Sequence, residues 1–211
     1  RMRRLKAKFP DPAELLTASG NAIKSSGVEE KIAGDFISWR AGLDLNKFAD
    51  TLRRYEIKIL LPEDTEYPAL LRETSDPPQV LFCRGTLSAL RRPLAVVGTR
   101  KMSFYGKQAT EVIVTPLSRG GISIISGLAL GIDAVAHKSA LASRGHTVAV
   151  LGSGIDDFSI YPSTNRNLAK EIIASGGAII SEFPPGAPSL KHHFPIRNRI
   201  IAGMTLGTLV I

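Results

Sequence analysis

From residue 94 onward, short apolar runs alternate along the chain with longer stretches of mixed polarity. The runs are LAVVG, ISIISG, TVAVLG, AIISE and TLVI. Such short, nearly continuous apolar runs are typical of strands that are buried on both faces of a parallel sheet. Between the runs lie residues 103–120, 131–144, 163–175 and 194–205, each long enough for a crossover helix, and Pro116 is expected to kink or end the first of them. Five strands alternating with four helices predict a doubly wound α/β domain with a mostly parallel sheet.

The first part of the chain has a different pattern. From Asp11 to about Leu52, apolar residues recur at spacings of three and four and are punctuated by glycines, which predicts a small all-α bundle. The apolar runs IKILL and QVLF follow, separated by turn-rich EDTEYP and SDPP, and indicate short strands. We therefore predict a helical domain at 1–55, a connecting segment with short strands at 56–93 and the α/β domain at 94–211. Because the chain stops inside the fifth predicted strand, we expect the C-terminal part of that domain to lie beyond Ile211.

Charge points to an anionic partner. The chain has 27 Lys and Arg against 19 Asp and Glu, a formal charge of +8, which favours nucleic acid or acidic lipid. The single cysteine, Cys83, fits a reducing compartment, so the cytoplasm is the expected location. The sequence has no apolar run near the length of a membrane helix, and its first ten residues lack the apolar region of a secretory signal, so no membrane association is expected.

The loops after the predicted strands carry the candidate chemistry, because ligands of open parallel sheets bind beyond the carboxyl ends of the strands. These loops are GTRKMSFYG, SGLALGID, LGSGIDDFSIYP and SEFPPGAPSLKHHFPIRNR. Three of them are rich in Gly and Ser, which allow backbone N–H groups to approach an anion closely. A tight turn would explain the glycines of any one loop. Together with Arg100 and the basic stretch 191–199, the three loops favour repeated phosphate contacts along one edge.

The basic stretch has two interpretations. Arg197 and Arg199 can make forked contacts to phosphate, Lys191 can supply a point charge, and Phe194 or His193 can stack on a base. The alternative is a solvated charge run or an internal salt-bridge network with Glu182.

Several common enzyme motifs are absent from the sequence. It contains no GxGxxG, no GxxxxGK[ST], no zinc-ligand spacing and no GxSxG, so we predict no cofactor and no metal. Asp133 and His137 are four residues apart and suit either an acid/base pair or a helix start with a packed histidine. Glu182 suits either a ribose hydroxyl or a salt bridge to Arg197 or Arg199.

The motifs VVGTRKMSFYG, SGLALGIDAVAHKSAL, TVAVLGSGIDDFSIYP and SEFPPGAPSLKHHFPIRNRIIAG, in this order, resemble the DprA/Smf family of DNA-processing proteins. The resemblance extends over about residues 56–211, and the N-terminal helices resemble the SAM-like domain of many members. It implies a Rossmann-like domain that binds and protects single-stranded DNA during natural transformation and helps to load the RecA recombinase, without known catalysis. A homodimer is also implied. The SGSLIT-like motif of the family and most of its self-association and RecA surfaces are expected beyond Ile211.

The resemblance also implies site residues. Arg100 and Lys191 match DNA contacts of the family, and Arg166 is a further expected contact, although Ser163 stands where some relatives have Lys. The residues that match its phosphate-facing loops are Gly98, Thr99, Ser126, Gly127, Gly131, Gly152 and Ser153.

Three other functions remain open at this point. One is a nucleotide or nucleoside-phosphate enzyme of the related lysine-decarboxylase-like Rossmann group, although the sequence lacks the PGGxGTxxE signature. The others are a duplex-DNA binder with a hidden helix-turn-helix, and a protein-binding N-terminal domain on a passive scaffold.

Overall fold

The protein is described by a computed structural model that covers residues 2–211. The chain divides into two compact units, the first ending at Asp50 and the second comprising Thr51–Ile211. The boundaries predicted near residues 55 and 93 remain predictions. Among residues 2–211, no helix combines the length and apolarity needed to cross a membrane.

Short helices dominate the chain before residue 55, as the spacing of apolar residues predicts. They are α1 (Met2–Lys8), α2 (Pro12–Thr17), α3 (Gly20–Lys24), α4 (Glu30–Ala41) and α5 (Leu45–Arg54). Polar side chains cap the starts of α2, α3 and α5. The Asp11 carboxylate accepts a hydrogen bond from the backbone N–H of Ala13, the Ser19 hydroxyl accepts one from that of Ala22, and the Asp44 carboxylate accepts one from that of Lys47. The small core of this unit includes the buried Ile23, Val28 and Ala33. That this unit is a SAM-like domain remains a prediction.

One sheet organises the second unit. Its strands are β1 (Lys58–Leu60), β2 (Leu81–Gly85), β3 (Leu94–Val97), β4 (Ile124–Ser126), β5 (Thr147–Leu151), β6 (Ala178–Ser181) and β7 (Gly207–Val210), in the order β1-β2-β6-β5-β4-β3-β7. The five strands from β3 to β7 are parallel, whereas β1 and β2 pair antiparallel beside β6. The predicted mostly parallel α/β sheet is thus confirmed, and the strands of segment 56–93 extend it.

Helices cover both faces of this sheet. They are α6 (Ala69–Arg72), α7 (Phe104–Arg119), α8 (Ile132–Ala142), α9 (Arg166–Ala174) and α10 (His193–Gly203), with a 3₁₀ turn at Ser163–Asn165. On one face, α7 and α8 pack against β3 and β4 through Val96, Val114 and Ala136. On the other, α10 packs through Ile200 and Ile201 in a core that includes residues of α6 and of several strands. Helix α7 contains Pro116 and continues to Arg119.

The direction in which successive strands are added to the sheet reverses at β3. Successive crossovers run from β3 through β4 and β5 to β6, and α10 then returns the chain to β7 on the other side of β3. In open α/β sheets, the crevice beyond the carboxyl ends of two such strands is the usual ligand site. The loops that the sequence marks as candidates lie at this edge.

Candidate nucleic-acid interface

Two adjoining depressions lie at the carboxyl edge of the sheet, next to the end of β3. The inner cavity is about 280 Å³ and is lined among others by Gly98, Arg100, Asp133, Arg197 and Asn198. The outer groove is about 590 Å³ and is lined by Arg100, Tyr161, Ser189, Lys191, Phe194, Pro195 and Asn198. Arg100 and Asn198 border both depressions. We call the outer one the edge groove.

Cations and aromatic rings meet in the edge groove. The Arg100 guanidinium lies 5.1 Å from the centre of the Phe194 ring, which is itself 5.9 Å from the Tyr161 ring. Arg100 and Lys191 are exposed, and within residues 2–211 neither forms an ion pair with a carboxylate. The groove therefore offers two unneutralised cations beside an aromatic surface. Tyr161 stands in the LGSGIDDFSIYP loop, but its sequence context does not mark it as a contact residue.

The loop after β4 is held in place by buried polar side chains. The Asp133 carboxylate accepts hydrogen bonds from the backbone N–H groups of Gly127 (3.1 Å) and Ala129 (3.4 Å). The Asn165 side-chain amide donates to the carbonyls of Leu128 (2.9 Å) and Ala129 (3.2 Å). Leu128 has a left-handed backbone with φ of 57°, which is unfavourable for a non-glycine residue and must be stabilised by its surroundings. Burial raises the pKa of Asp133, and the nearby Arg197 opposes this.

Arg197 lies inside the protein, although the sequence predicted that it contacts phosphate at the surface. It is 4% exposed, and its guanidinium donates to the carbonyls of Gly127 (2.7 Å) and Val150. Burial lowers its pKa to about 10, at which it stays charged near neutral pH. A Cβ atom on Gly127 would lie 2.2 Å from the Arg197 Nη1 atom, so the approach requires glycine. Arg197 thus ties the β4 loop to β5 and α10 while lining the inner cavity.

Arg199 also has internal partners. Its guanidinium lies 2.5 Å from the Glu182 carboxylate and donates to the Asp76 carbonyl. This is the salt-bridge alternative that the sequence left open for Glu182. Arg199 is half-buried and does not line the edge groove.

The two predicted serines are buried, and their hydroxyls have backbone partners. Ser126 donates to the Val96 carbonyl (2.6 Å), and Ser153 donates to the Gly154 carbonyl (3.2 Å). Both hydroxyls therefore stabilise strand ends and loops rather than facing the groove.

The remaining predicted residues set the spacing between loops. Thr99 is exposed, and its carbonyl accepts from the Ile132 N–H (3.2 Å). Gly131 has φ of 77°, and a Cβ there would lie 2.2 Å from the Thr99 oxygen, so glycine is needed where the β3 and β4 loops meet. Gly98 lies against Ile132 and the last residue of the chain, and Gly152 lies beneath the Phe194 ring.

Arg166 and Asp156 support the loop after β5. Arg166 is half-buried and donates to the Phe158 carbonyl (2.5 Å). Asp156 is 6% exposed and accepts from the N–H groups of Ser159 (3.1 Å) and Gly186 (2.6 Å), which joins this loop to the one after β6. Burial acts to raise the pKa of Asp156, but these hydrogen bonds together lower it. The sequence does not reveal this role of Asp156, because an Asp pair in a loop has no distinctive spacing.

Two buried histidines of the second unit, His137 and His193, are structural. His137 is fully buried with its Nδ1 2.7 Å from the Thr147 hydroxyl, and burial together with Arg197 lowers its pKa to about 3, so it is neutral at physiological pH. His193 is buried and stacks on Phe183 with ring centres 3.9 Å apart. Neither ring is presented to the edge groove.

Comparison with known proteins agrees with this architecture. Residues 58–211 match the sequence model of the family described as DNA recombination-mediator protein A. Protein Smf of Escherichia coli is 46% identical over 72% of this chain and 41% of its own length. DNA processing protein DprA of Streptococcus pneumoniae is 44% identical over 70% of this chain and 51% of its own length.

Solved structures are also similar. The X-ray structure of DNA processing protein A from Streptococcus pneumoniae superposes with a TM-score of 0.75 at 36% identity, over 90% of this chain and 65% of that one. A structure reported for the single-stranded DNA binding mode of the Helicobacter pylori protein gives a TM-score of 0.65 at 30% identity, over 74% of this chain and 69% of that one. The chain spans about half the length of the curated relatives it matches. The sequence match and the shared fold together place the chain in the DNA recombination-mediator protein A family.

Proposed function

We propose that the chain binds single-stranded DNA in the edge groove. The observation that carries this proposal is the exposed pair of cations, Arg100 and Lys191, beside the aromatic pair Phe194 and Tyr161. Single strands are bound by cations that follow the phosphates and by rings on which bases stack. A groove with both groups, on a chain of formal charge +8, suits this ligand better than a neutral metabolite.

The other predicted site residues divide by role in this proposal. Thr99, exposed next to Arg100, contributes a further polar contact, and the backbone around Gly98, Gly131 and Gly152 shapes the path of the strand. Six of the predicted residues act indirectly, because their polar groups already bind other parts of the protein. These are Ser126, Gly127, Ser153, Arg166, Arg197 and Arg199. They keep the loops in a fixed geometry, which lowers the entropy lost on binding.

We further propose that this binding protects incoming DNA during natural transformation and delivers it to RecA recombinase in the cytoplasm, with the whole protein as a homodimer. Membership of the recombination-mediator family supports this role. A non-enzymatic mode of action is part of the proposal. It is supported by His137, which is buried and neutral, and by Asp133, whose oxygen accepts two backbone hydrogen bonds, so the candidate acid/base pair is engaged in the fold.

The decisive experiment is a fluorescence-anisotropy titration with matched single-stranded and double-stranded oligonucleotides, with AMP and ATP as competitors. We expect tighter binding of the single strand, weakening as salt rises, with little competition from nucleotides. Nucleotide binding at low concentration with no affinity for DNA would instead favour the nucleotide-enzyme alternative. The partner proposals are tested separately, by light scattering for the dimer and by co-precipitation with purified RecA.

A further inference from the structure

Exposed aromatic side chains are concentrated at the carboxyl edge of the sheet. Only 6% of the residues are aromatic. Among the described residues, the exposed ones are Trp39 in the first unit and four others at this edge: Phe104, Tyr105, Phe158 and Tyr161. Tyr161 belongs to the edge groove, but Phe104 and Tyr105 lie outside it, in the first turn of α7.

Phe104 and Tyr105 contribute little to the packing of the protein. They are 80% and 79% exposed, respectively, although rings of this size normally bury most of their surface. The first turn of α7 is fixed without them, because the Ser103 hydroxyl accepts from the Gly106 N–H and the helix packs through Thr110 and Val114. Exposing two adjacent rings therefore brings no benefit to folding, which indicates a contact with a ligand.

The surroundings of the two rings are cationic and adjoin the groove. Lys101 and Lys107 flank them in the sequence. Lys101 has no carboxylate partner in residues 2–211, whereas the Lys107 ammonium group forms a long ion pair with the Glu111 carboxylate at 3.8 Å. Phe104 follows Arg100 by four residues, a span of at most about 14 Å of extended chain. Lys101 and the two rings are therefore within a short distance of the Arg100 side of the edge groove.

We propose that Phe104 and Tyr105 form a second base-stacking platform, which holds the segment of single-stranded DNA that extends beyond the edge groove. This inference rests on the proposed function. Aromatic rings beside Lys101, which has no carboxylate partner in residues 2–211, fit a ligand with stacked bases and phosphates, whereas lysine is depleted at protein-binding interfaces. The platform is sequence-tolerant, because every base has a face that stacks.

The test compares oligothymidines of two lengths, one of about 6 and one of about 20 nucleotides, in anisotropy titrations with the full chain. The double variant Phe104→Ala/Tyr105→Ala should bind the short oligonucleotide as the unaltered chain does. It should bind the long one at least fivefold more weakly, the effect of ~1 kcal/mol of lost stacking. The salt dependence should not change, since neither ring contacts a phosphate. Val112→Ala, which truncates another exposed apolar side chain of α7, is the matched control and should bind both lengths normally.

A second variant reports contact directly. Tyr105→Trp should keep the affinity for the long oligonucleotide, and its indole fluorescence should fall on binding, measured against the unaltered chain, whose only tryptophan is Trp39. Equal affinity of the double variant and the unaltered chain for the long oligonucleotide, with no quenching in Tyr105→Trp, would overturn the platform. If the unaltered chain bound neither oligonucleotide, the proposed function itself would fail. The two failures are thus distinct.

Discussion

Among the individual residues of the site, Arg197 differs most from its prediction, because its charged side chain is buried. Arginine is rarely buried, so a basic stretch before an apolar run favours exposure and phosphate binding. In the structure, the guanidinium instead satisfies the carbonyls of Gly127 and Val150. Only three-dimensional contacts supply such partners, because Arg197 and Gly127 are 70 residues apart. Arg100 and Lys191, by contrast, lie where the loop pattern placed them, at the edge groove.

The contact between Gly127 and Arg197 gives a prediction about stability. Gly127→Ala places a methyl group 2.2 Å from the Arg197 Nη1 atom, so the guanidinium must leave its carbonyl partners. We expect the free energy of unfolding to fall by roughly 2–4 kcal/mol from overpacking and lost hydrogen bonds, measured by urea denaturation. The matched control is Gly207→Ala on the edge strand β7, where a Cβ would meet Leu94 at an ordinary 3.8 Å. Similar stabilities for the two variants would show that Arg197 does not hold this loop.

At the scale of elements, the sequence predicted the parallel strands accurately and the loop supports poorly. Strands β3 to β6 are nearly continuous apolar runs because both faces of the sheet are covered there, and this leaves a clear signal. The antiparallel pairing of β1 and β2 next to β6 was not predicted, because such short strands carry no signal about their partners. The residues that position the loops, Asp156 and Asn165, act through backbone N–H and carbonyl groups of distant segments, which sequence spacing does not reveal.

Asp156 joins the loops after β5 and β6, and its protonation should weaken that connection. Its pKa is lower in the folded protein than its ordinary value, so its contribution to stability is present above about pH 4 and is lost as the pH falls through the folded-state value. Asp156→Asn should reduce the free energy of unfolding by about 1–3 kcal/mol at pH 7, because an amide N–H₂ would face a backbone N–H. The difference from the unaltered chain should shrink below about pH 4.

Urea denaturation at pH 7 and at steps from pH 5 downward measures this difference. The control is Glu171→Gln, which neutralises an exposed carboxylate on α9 and should change stability little at any pH. A loss for Asp156→Asn that stayed constant down to pH 2 would mean that the ionised carboxylate is not what joins the two loops.

Across the whole second unit, a positive charge can contact DNA in the edge groove only where it has no internal partner and lies near the groove. Arg197 and Arg199 have internal partners, and Arg84 pairs with Asp157, so net charge alone does not locate an interface. Arg119 offers a direct comparison. It is exposed like Arg100, and it lies at the far end of α7, toward the opposite edge of the sheet.

Arg100→Ala and Lys191→Ala should each weaken single-strand binding about tenfold at moderate salt, as expected for one charged hydrogen bond. Each should also reduce the magnitude of the slope of log K against log salt by about 0.7, the value for one phosphate contact to a single strand. Arg119→Ala removes the same charge from the chain, and should leave the slope unchanged if position rather than total charge governs binding. Titrations at four or more salt concentrations give the slopes. Equal reductions in all three variants would show that the strand responds to net charge, and that the edge groove is not its path.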